Sequence, residues 1–192
     1  MKYALGLLVA FFANLLPISL FSSPSVLPSV VRVECGQAAG SGFFIAPHLL
    51  LTAAHMMTED SCGEEGLYID GSNNKMELLK LNSWKDMALF RTEETGTPLK
   101  LRTADLKYGE ALWILGFPGP DSIYTVTHGY VSAFIEDFTK TDAVCYFGNS
   151  GGPAIDREHK VIGILVGVHP DSRMCYITSL DNTLEFVRGY VK

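Results

Sequence analysis

Short apolar segments separated by turn residues dominate the chain from residue 31 onwards. Val31, Val33 and Cys35 alternate with charged residues, which is the period-two pattern of a half-buried strand. Further apolar segments are bounded by Gly, Pro, Asn or Asp. They are 42–46, 49–53, 66–70, 76–82, 87–91, 111–116, 123–134, 143–147, 161–168 and 175–179. Many short strands with turns between them predict an all-β sandwich or barrel.

The strand series has a break near its middle and a different spacing at its end. Residues 103–108 have turn character, so the pattern predicts two β units of similar size. Leu184, Val187 and Val191 have helical spacing, which predicts a helix within 180–191.

The N-terminal segment differs from the rest of the chain. Residues 3–21 contain no charge, follow Lys2 and lead to small serines, which is typical of a secretory signal cleaved near 22–25. The segment is also just long enough for an uncleaved membrane anchor. Under both interpretations residues 1–23 precede an exported domain of residues 24–192, secreted or periplasmic, and only 3–21 would contact a membrane.

Composition and charge narrow the function classes. The 192 residues are 47% hydrophobic and 19% charged, which excludes a disordered or low-complexity chain. Lys and Arg number 15 against 21 Asp and Glu, a net charge of −6, so nucleic acid is not an expected partner.

The cysteine pattern bears on redox state and metal binding. The chain has four cysteines and no Cys-x-x-Cys, which argues against a zinc site or a thioredoxin-like pair. In an exported protein four cysteines indicate two disulfides, in any of three pairings. Buried free thiols are the alternative. The cysteines are Cys35, Cys62, Cys145 and Cys175.

The segment Gly148-Asn149-Ser150-Gly151-Gly152-Pro153 surrounds one serine with small residues. Glycines allow a tight turn whose N–H groups point at one spot and which a substrate approaches closely. A serine nucleophile needs this setting, because its hydroxyl requires a base and the oxyanion requires fixed donors. Taken alone, the segment is also compatible with a simple glycine-rich turn.

A histidine and an aspartate supply the other groups that such a serine requires. His55 ends the segment Thr52-Ala53-Ala54-His55, whose small residues leave room for the ring to face a cleft. Asp86 opens the apolar segment 86–90, where a carboxylate can be partly buried and still hydrogen-bonded. Each residue alone is compatible with a structural role, but their combination with Ser150 favours a Ser-His-Asp triad.

Together these motifs resemble the chymotrypsin-like (trypsin-fold) serine proteases, most closely the HtrA/Deg branch. In that family a Gly-Ser-Gly-Phe strand leads to Thr-Ala-Ala-His, then Asp-x-Ala-Leu, then Gly-Asn-Ser-Gly-Gly-Pro, and this order recurs here over roughly residues 30–185. The resemblance implies two six-stranded antiparallel β-barrels with a C-terminal helix. The first barrel would occupy about 26–104 and the second about 105–192.

The resemblance also implies a role for each residue of the site. Ser150 would attack the scissile carbonyl, His55 would take and return the proton, and Asp86 would orient the imidazole. The backbone N–H groups of Gly148 and Ser150 would form the oxyanion hole. The implied activity is that of a serine endopeptidase with polypeptide substrates and neither metal nor cofactor.

The S1 pocket is expected between the residues just before Ser150 and the strand after it. Apolar side chains there predict a preference for Ala, Val or Leu at P1. Asp142 would instead favour Arg or Lys if it stood at the pocket base, and glutamate-specific relatives carry His where this chain has Leu165. The predicted lining residues are Ala143, Val144, Leu165, Val166, Gly167 and Val168.

Three further expectations follow from the resemblance. It implies a disulfide between Cys145 and Cys175 beside the S1 pocket, which leaves Cys35 to pair with Cys62. Asn149 stands where digestive trypsins have the Asp that pairs with a freed N-terminus, so activity is not expected to depend on such a pair. About 42 residues follow Ser150, too few for the PDZ domain usual in HtrA proteins.

Two other functions use the same residues. A catalytically silent binding protein on this fold is one, since folds persist where activity is lost. An esterase with the same triad is the other. The complete set of His55, Asp86 and Ser150 favours the peptidase.

Overall fold

The computed structural model describes residues 29–36, 38–57, 62, 66–120, 123–169 and 171–191. The predicted signal or anchor at 1–23 therefore lies outside the described residues. Within the described ranges, no helix has the length and apolar character needed to cross a bilayer.

The first β unit is an antiparallel sheet of six strands in the order β4-β1-β2-β3-β6-β5. Residues of β2, β3 and β6 face the core and are mostly buried, because these three strands lie at the centre of the sheet. The strands are β1 (Val30–Cys35), β2 (Ala38–Ala46), β3 (Leu49–Thr52), β4 (Tyr68–Ile69), β5 (Glu77–Asn82) and β6 (Met87–Arg91).

The second β unit is a closed six-stranded barrel in the order β10-β11-β12-β9-β8-β7. The C-terminal helix α1 (Leu180–Val187) follows it, with the Ser179 hydroxyl accepting a hydrogen bond from the Asn182 N–H at its N-terminus. The strands are β7 (Ala111–Gly116), β8 (Thr125–Ile135), β9 (Phe138–Thr141), β10 (Pro153–Ile155), β11 (Val161–Val168) and β12 (Cys175–Thr178).

The all-β prediction of two six-stranded antiparallel units and a C-terminal helix is confirmed, with one correction. Hydrogen bonds close the second unit but not the first, whose outer strands β4 and β5 each pair with a single neighbour. Both residues of the short strand β4 pair with β1. The described strands thus form one closed barrel and one open sheet.

The strand predictions fail at one segment and miss two others. Residues 143–147 form no strand but a loop, and several of its apolar side chains are exposed: Val144 by 70%, Tyr146 by 63% and Phe147 by 76%. The short strands β9 and β10 were not predicted, because neither has a long apolar run.

One hydrophobic cluster is shared by the two units. Phe43, Leu51 and Leu89 of the first unit pack with Leu115 and Ile164 of the second, and all five are buried. A shared core holds the two units face to face, because separating them would expose these side chains to water. The loops at the edges of both units are thereby brought together.

The segment between β6 and β7 connects the two units. It begins after Arg91 and ends before Ala111, and its Leu101 forms a parallel bridge with Val161 of β11. The predicted division near residue 104 falls within this segment, and as a domain boundary it stays a prediction.

Arg102 in this connecting segment is the centre of a partly buried ion-pair network. Its guanidinium is hydrogen-bonded to Glu110 and lies 3.5 Å from Asp156 Oδ2, and the Arg102 side chain as a whole is 14% exposed. It also donates to the carbonyl of Asp105 at 2.7 Å. The hydrogen bond with Arg102 lowers the pKa of Glu110, and the same bond raises the pKa of Arg102.

We expect Arg102→Met to lower the free energy of unfolding by about 2–3 kcal/mol at pH 7, because it leaves two partly buried carboxylates without their cation. The pKa of Glu110 is lower in the folded state than in the unfolded chain. The ion pair therefore stabilises the fold fully at pH values above the unfolded pKa of about 4.3, and this stabilisation is lost as the pH falls through the folded pKa. Urea unfolding of the wild type and of Arg102→Met at pH 7 and pH 3 measures the difference in their free energies of unfolding. This difference should be smaller at pH 3 than at pH 7.

The matched control is Arg91→Met, which removes an ion pair with Glu77 whose side chains are 56% and 61% exposed. Exposed ion pairs are screened by water, so the free energy of unfolding of Arg91→Met should fall by less than about 1 kcal/mol. Equal losses in the two variants would contradict the role given to Arg102.

Candidate active site

The Asp86 carboxylate binds His55 at two points. Oδ1 accepts a hydrogen bond from the His55 backbone N–H at 2.7 Å, and Oδ2 lies 2.6 Å from ring Nδ1. The side chain of Asp86 is 19% exposed and that of His55 is 42% exposed. A carboxylate acceptor at Nδ1 keeps the ring proton there and leaves Nε2 as a base.

The strand register brings these two residues together. Thr52, at the end of β3, pairs with Ala88 of β6, so the residues just beyond both strands are neighbours. His55 lies there in a short 3-10 helix, Ala54–Met57, and Asp86 immediately precedes β6. Asp86 has a φ of 54°, a left-handed conformation that is unfavourable for a residue with a side chain and is often found at functional sites.

Ser150 lies in the loop between β9 and β10 and lines a cavity of about 710 Å³ together with His55. The described part of the chain contains no hydrogen bond between the two side chains. Catalytic hydrogen bonds are often long before substrate binds, so the shared cavity is the relevant observation.

The turn that presents Ser150 is held through its carbonyl groups. The four consecutive carbonyls of residues 147–150 each accept one hydrogen bond, which fixes the plane of every peptide in the turn. The donors are, in order, Gly119 N at 2.8 Å, Ser41 Oγ at 2.7 Å, Gly152 N at 2.9 Å and Ser41 N at 2.8 Å.

The N–H groups of the same turn fall into two sets. Three of them donate to carbonyls: Asn149 to Tyr146 at 3.0 Å, Gly151 to Leu165 at 2.7 Å and Gly152 to Asn149 at 2.9 Å. The N–H groups of Gly148 and Ser150 have no acceptor within the described residues. Fixed N–H donors that remain free are what an oxyanion requires.

Ser41 supports the turn and was not among the predicted site residues. It lies in β2, is fully buried, and supplies two of the four donors to the turn. The available signal was a small polar residue between two glycines, Gly40 and Gly42, in a strand that is otherwise apolar.

The cavity contains some of the predicted S1 residues and not others. Four of the six line it: Leu165, Val166, Gly167 and Val168. Ala143 and Val144 lie outside the lining, because Ala143 is buried in the barrel core and Val144 is 70% exposed. Asp142 also lies outside it and accepts a hydrogen bond from the Tyr130 N–H at 2.6 Å. Residues not foreseen in the lining are Cys145, Tyr146, Phe147, His169 and Arg173.

Arg173 is the residue of fixed charge in the cavity lining. It lies in the turn between β11 and β12, where its N–H donates to the His169 carbonyl at 2.9 Å and the His169 N–H donates to the Met174 carbonyl at 2.8 Å. The cavity therefore combines apolar walls with one cation.

Two disulfides flank the site. Cys145 is joined to Cys175, and this bond ties the loop before Ser150 to the first residue of β12. Cys35, the last residue of β1, is joined to Cys62. The first is the pair that the resemblance implied, and the second is the pair that this left.

Asn149 is buried beside the turn, with 3% of its surface exposed. Its Oδ1 has no hydrogen-bond partner within the described residues and would lie 2.8 Å from a Cβ at Gly116. That activity does not depend on a freed N-terminus at this position stays a prediction.

The trypsin-like peptidase domain matches residues 40–164 of the chain. The chain is 31% identical to "Serine protease HTRA1" of Xenopus tropicalis over 170 residues, which cover 72% of this chain and 36% of that protein. It is 28% identical to "Probable periplasmic serine endoprotease DegP-like" of Bartonella henselae over 152 residues, which cover 70% of this chain and 29% of that protein. The chain thus spans about a third of the length of these relatives.

Solved structures share the fold. The active form of the Rv3671c protease from M. tuberculosis has a TM-score of 0.73 at 22% identity, covering 83% of this chain and 79% of that one. The serine endoprotease from Yersinia pestis has a TM-score of 0.71 at 23% identity, and the match covers 82% of this chain and 61% of that one. With the family match over residues 40–164 and relatives above 30% identity, the chain belongs to the trypsin-like peptidases, with HtrA/DegP-type serine proteases as its homologues.

Proposed function

We propose that the protein is an exported serine endopeptidase that uses Ser150, His55 and Asp86. The observation on which this depends is the cavity that Ser150 shares with His55, whose ring Nδ1 is already bound to the Asp86 carboxylate. The two free N–H groups of the adjacent turn support the same interpretation.

The geometry supports a two-step acyl transfer. Ser150 Oγ attacks the substrate carbonyl while His55 Nε2 takes its proton, and the new oxyanion accepts from the Gly148 and Ser150 N–H groups. His55 then returns the proton to the leaving amine, which departs as the C–N bond breaks. A water molecule then gives a proton to His55 and attacks the acyl-enzyme. The C–O bond to Ser150 breaks, His55 returns the proton to Ser150 Oγ, and the acid is released. Asp86 stabilises the imidazolium throughout.

We infer an apolar P1 preference from the cavity walls. The lining includes the apolar side chains of Leu165, Val166, Val168 and Phe147. The cation of Arg173 disfavours Lys or Arg in the same cavity, because like charges repel more strongly where water is partly excluded. Substrates with Ala, Val or Leu at P1 are expected to be cleaved fastest.

Export rests on the N-terminal pattern and on the disulfides. An uncharged segment at 3–21 after Lys2 is typical of a signal or anchor. Two disulfides are characteristic of proteins in oxidising compartments. A secreted or periplasmic location is therefore proposed.

Labelling with a fluorophosphonate and cleavage of a proteome-derived peptide library test the proposal together. The wild type should be labelled and should cleave after apolar residues, while Ser150→Ala should do neither. The matched control is Ser132→Ala in β8, which should behave as the wild type.

Peptide cleavage that survives in Ser150→Ala would refute the assigned nucleophile, and a library profile dominated by Arg or Glu at P1 would refute the apolar pocket. A wild type that is inert toward both reagents would indicate a binding protein, and one that hydrolyses only esters an esterase.

A further inference from the structure

Ser41 connects the first β unit to the turn that presents Ser150. Its hydroxyl donates to the Gly148 carbonyl at 2.7 Å and accepts from the Phe117 N–H at 3.0 Å. Its own N–H donates to the Ser150 carbonyl at 2.8 Å. The side chain is fully buried, so these bonds are shielded from competition by water.

The hydrogen bond from the Ser41 hydroxyl to the Gly148 carbonyl restricts Gly148, which has the greatest rotational freedom of residues 147–150. Gly148 has a φ of 95° and no side chain, so its own torsions resist rotation little. Its preceding peptide is anchored where the Phe147 carbonyl accepts from Gly119, and its following peptide where the Gly148 carbonyl accepts from Ser41. The Gly148 N–H belongs to the preceding peptide, so Gly119 holds it directly, and Ser41 acts on it by restricting the torsions of Gly148.

We propose that Ser41 is a positioning residue for the oxyanion hole, which acts by holding the Gly148 N–H toward the reacting carbonyl. This inference rests on the proposed peptidase function. The negative oxygen exists only in the transition state and the tetrahedral intermediate, so the contribution of Ser41 belongs to kcat rather than to substrate binding.

Replacing Ser41 by alanine tests the role. The variant removes the donor to Gly148 and the acceptor of the Phe117 N–H, and it keeps the Ser41 N–H bond to Ser150. It should lower kcat by about 10- to 100-fold, less than the complete loss of an oxyanion donor, with KM changed less than about twofold. Steady-state kinetics on the best peptide from the library give both constants.

A second measurement separates positioning from general damage. A peptide boronic acid forms a tetrahedral adduct on Ser150, and its affinity should fall by the same factor as kcat/KM. Binding of the uncleaved peptide, compared between Ser150→Ala and Ser41→Ala/Ser150→Ala, should be unchanged. Equal weakening of the boronic acid and the peptide would overturn the proposal.

Thr183→Val is the matched control for the loss of a buried hydroxyl. Thr183 is fully buried, and its Oγ1 lies 2.7 Å from Thr178 Oγ1, within the second unit. It should lose stability and keep kcat, and a Ser41→Ala enzyme as active as this control would also overturn the proposal.

Two outcomes remain to be separated. If Ser41→Ala does not fold, Ser41→Cys replaces it, and its weaker S–H donor should give a smaller loss of kcat in the same direction; unchanged kcat in that variant counts against the role. If the wild type itself neither cleaves peptides nor reacts with fluorophosphonate, the peptidase function fails, and the positioning role fails with it.

Discussion

Asp86→Asn is expected to lower kcat by about 10⁴-fold while the protein keeps its fold. In the structure both carboxylate oxygens accept from His55, one from the backbone N–H at 2.7 Å and one at ring Nδ1 at 2.6 Å. An asparagine can keep one of these bonds through its carbonyl oxygen. Its NH₂ group then faces Nδ1, which must become the acceptor, so the ring proton moves to Nε2 and the base is lost.

The change in kcat is measured with the best peptide substrate, and the fold by circular dichroism and thermal unfolding. Asp105→Asn is a matched control, because Asp105 is an exposed acid in the connecting segment. It should retain the wild-type rate within about twofold. A variant at position 86 that keeps more than a tenth of the wild-type kcat would contradict the orienting role of the carboxylate.

Gly148→Ala is expected to lower kcat by about 10²- to 10³-fold with little change in KM. A Cβ at this position would lie 2.4 Å from the Phe117 carbonyl oxygen, closer than atoms approach in folded proteins. The φ of 95° is also unfavourable for alanine. Relieving the close contact and the unfavourable φ requires the peptide to rotate. This rotation moves the Gly148 N–H away from the developing oxyanion.

Gly71→Ala separates the steric effect from the conformational one. Gly71 has a φ of 78° and open space around the position of a Cβ, so alanine there meets only the backbone preference. Both variants should lose about 1–2 kcal/mol of stability from the positive φ, and only Gly148→Ala should lose activity. Equal kcat values for the two variants would contradict the assignment of the Gly148 N–H to the oxyanion hole.

The fold class could be predicted because apolar segments and the turn residues between them are local features of the sequence. Alternation at 31–35 and continuous apolar runs at 87–91 and 161–168 indicated strands, and all three segments form them. The segment 143–147 looked similar but forms a loop that supplies Tyr146 and Phe147 to the cavity. An apolar run does not distinguish a buried strand from a loop that lines a substrate pocket.

Only part of the cavity lining was predicted. Leu165 to Val168 were expected from the resemblance, which places the strand after Ser150 beside the pocket, and all four residues line the cavity. Arg173 and His169 reach the cavity from a turn whose hydrogen bonds, His169 to Met174 and Arg173 to His169, have no counterpart in a periodic pattern.

By itself the sequence determined the all-β class, the export pattern and the three residue types that suit a Ser-His-Asp triad, since motifs and periodicity depend only on residues close in the chain. Tertiary structure alone decided that the Asp86 carboxylate meets His55 at two points and that the Ser41 hydroxyl reaches Gly148 across 107 residues of chain. The Asp86–His55 bonds form only once β3 and β6 are paired in register within the first unit. The Ser41–Gly148 bond forms only once the shared core has brought the two β units together, because its geometry depends on how the units pack.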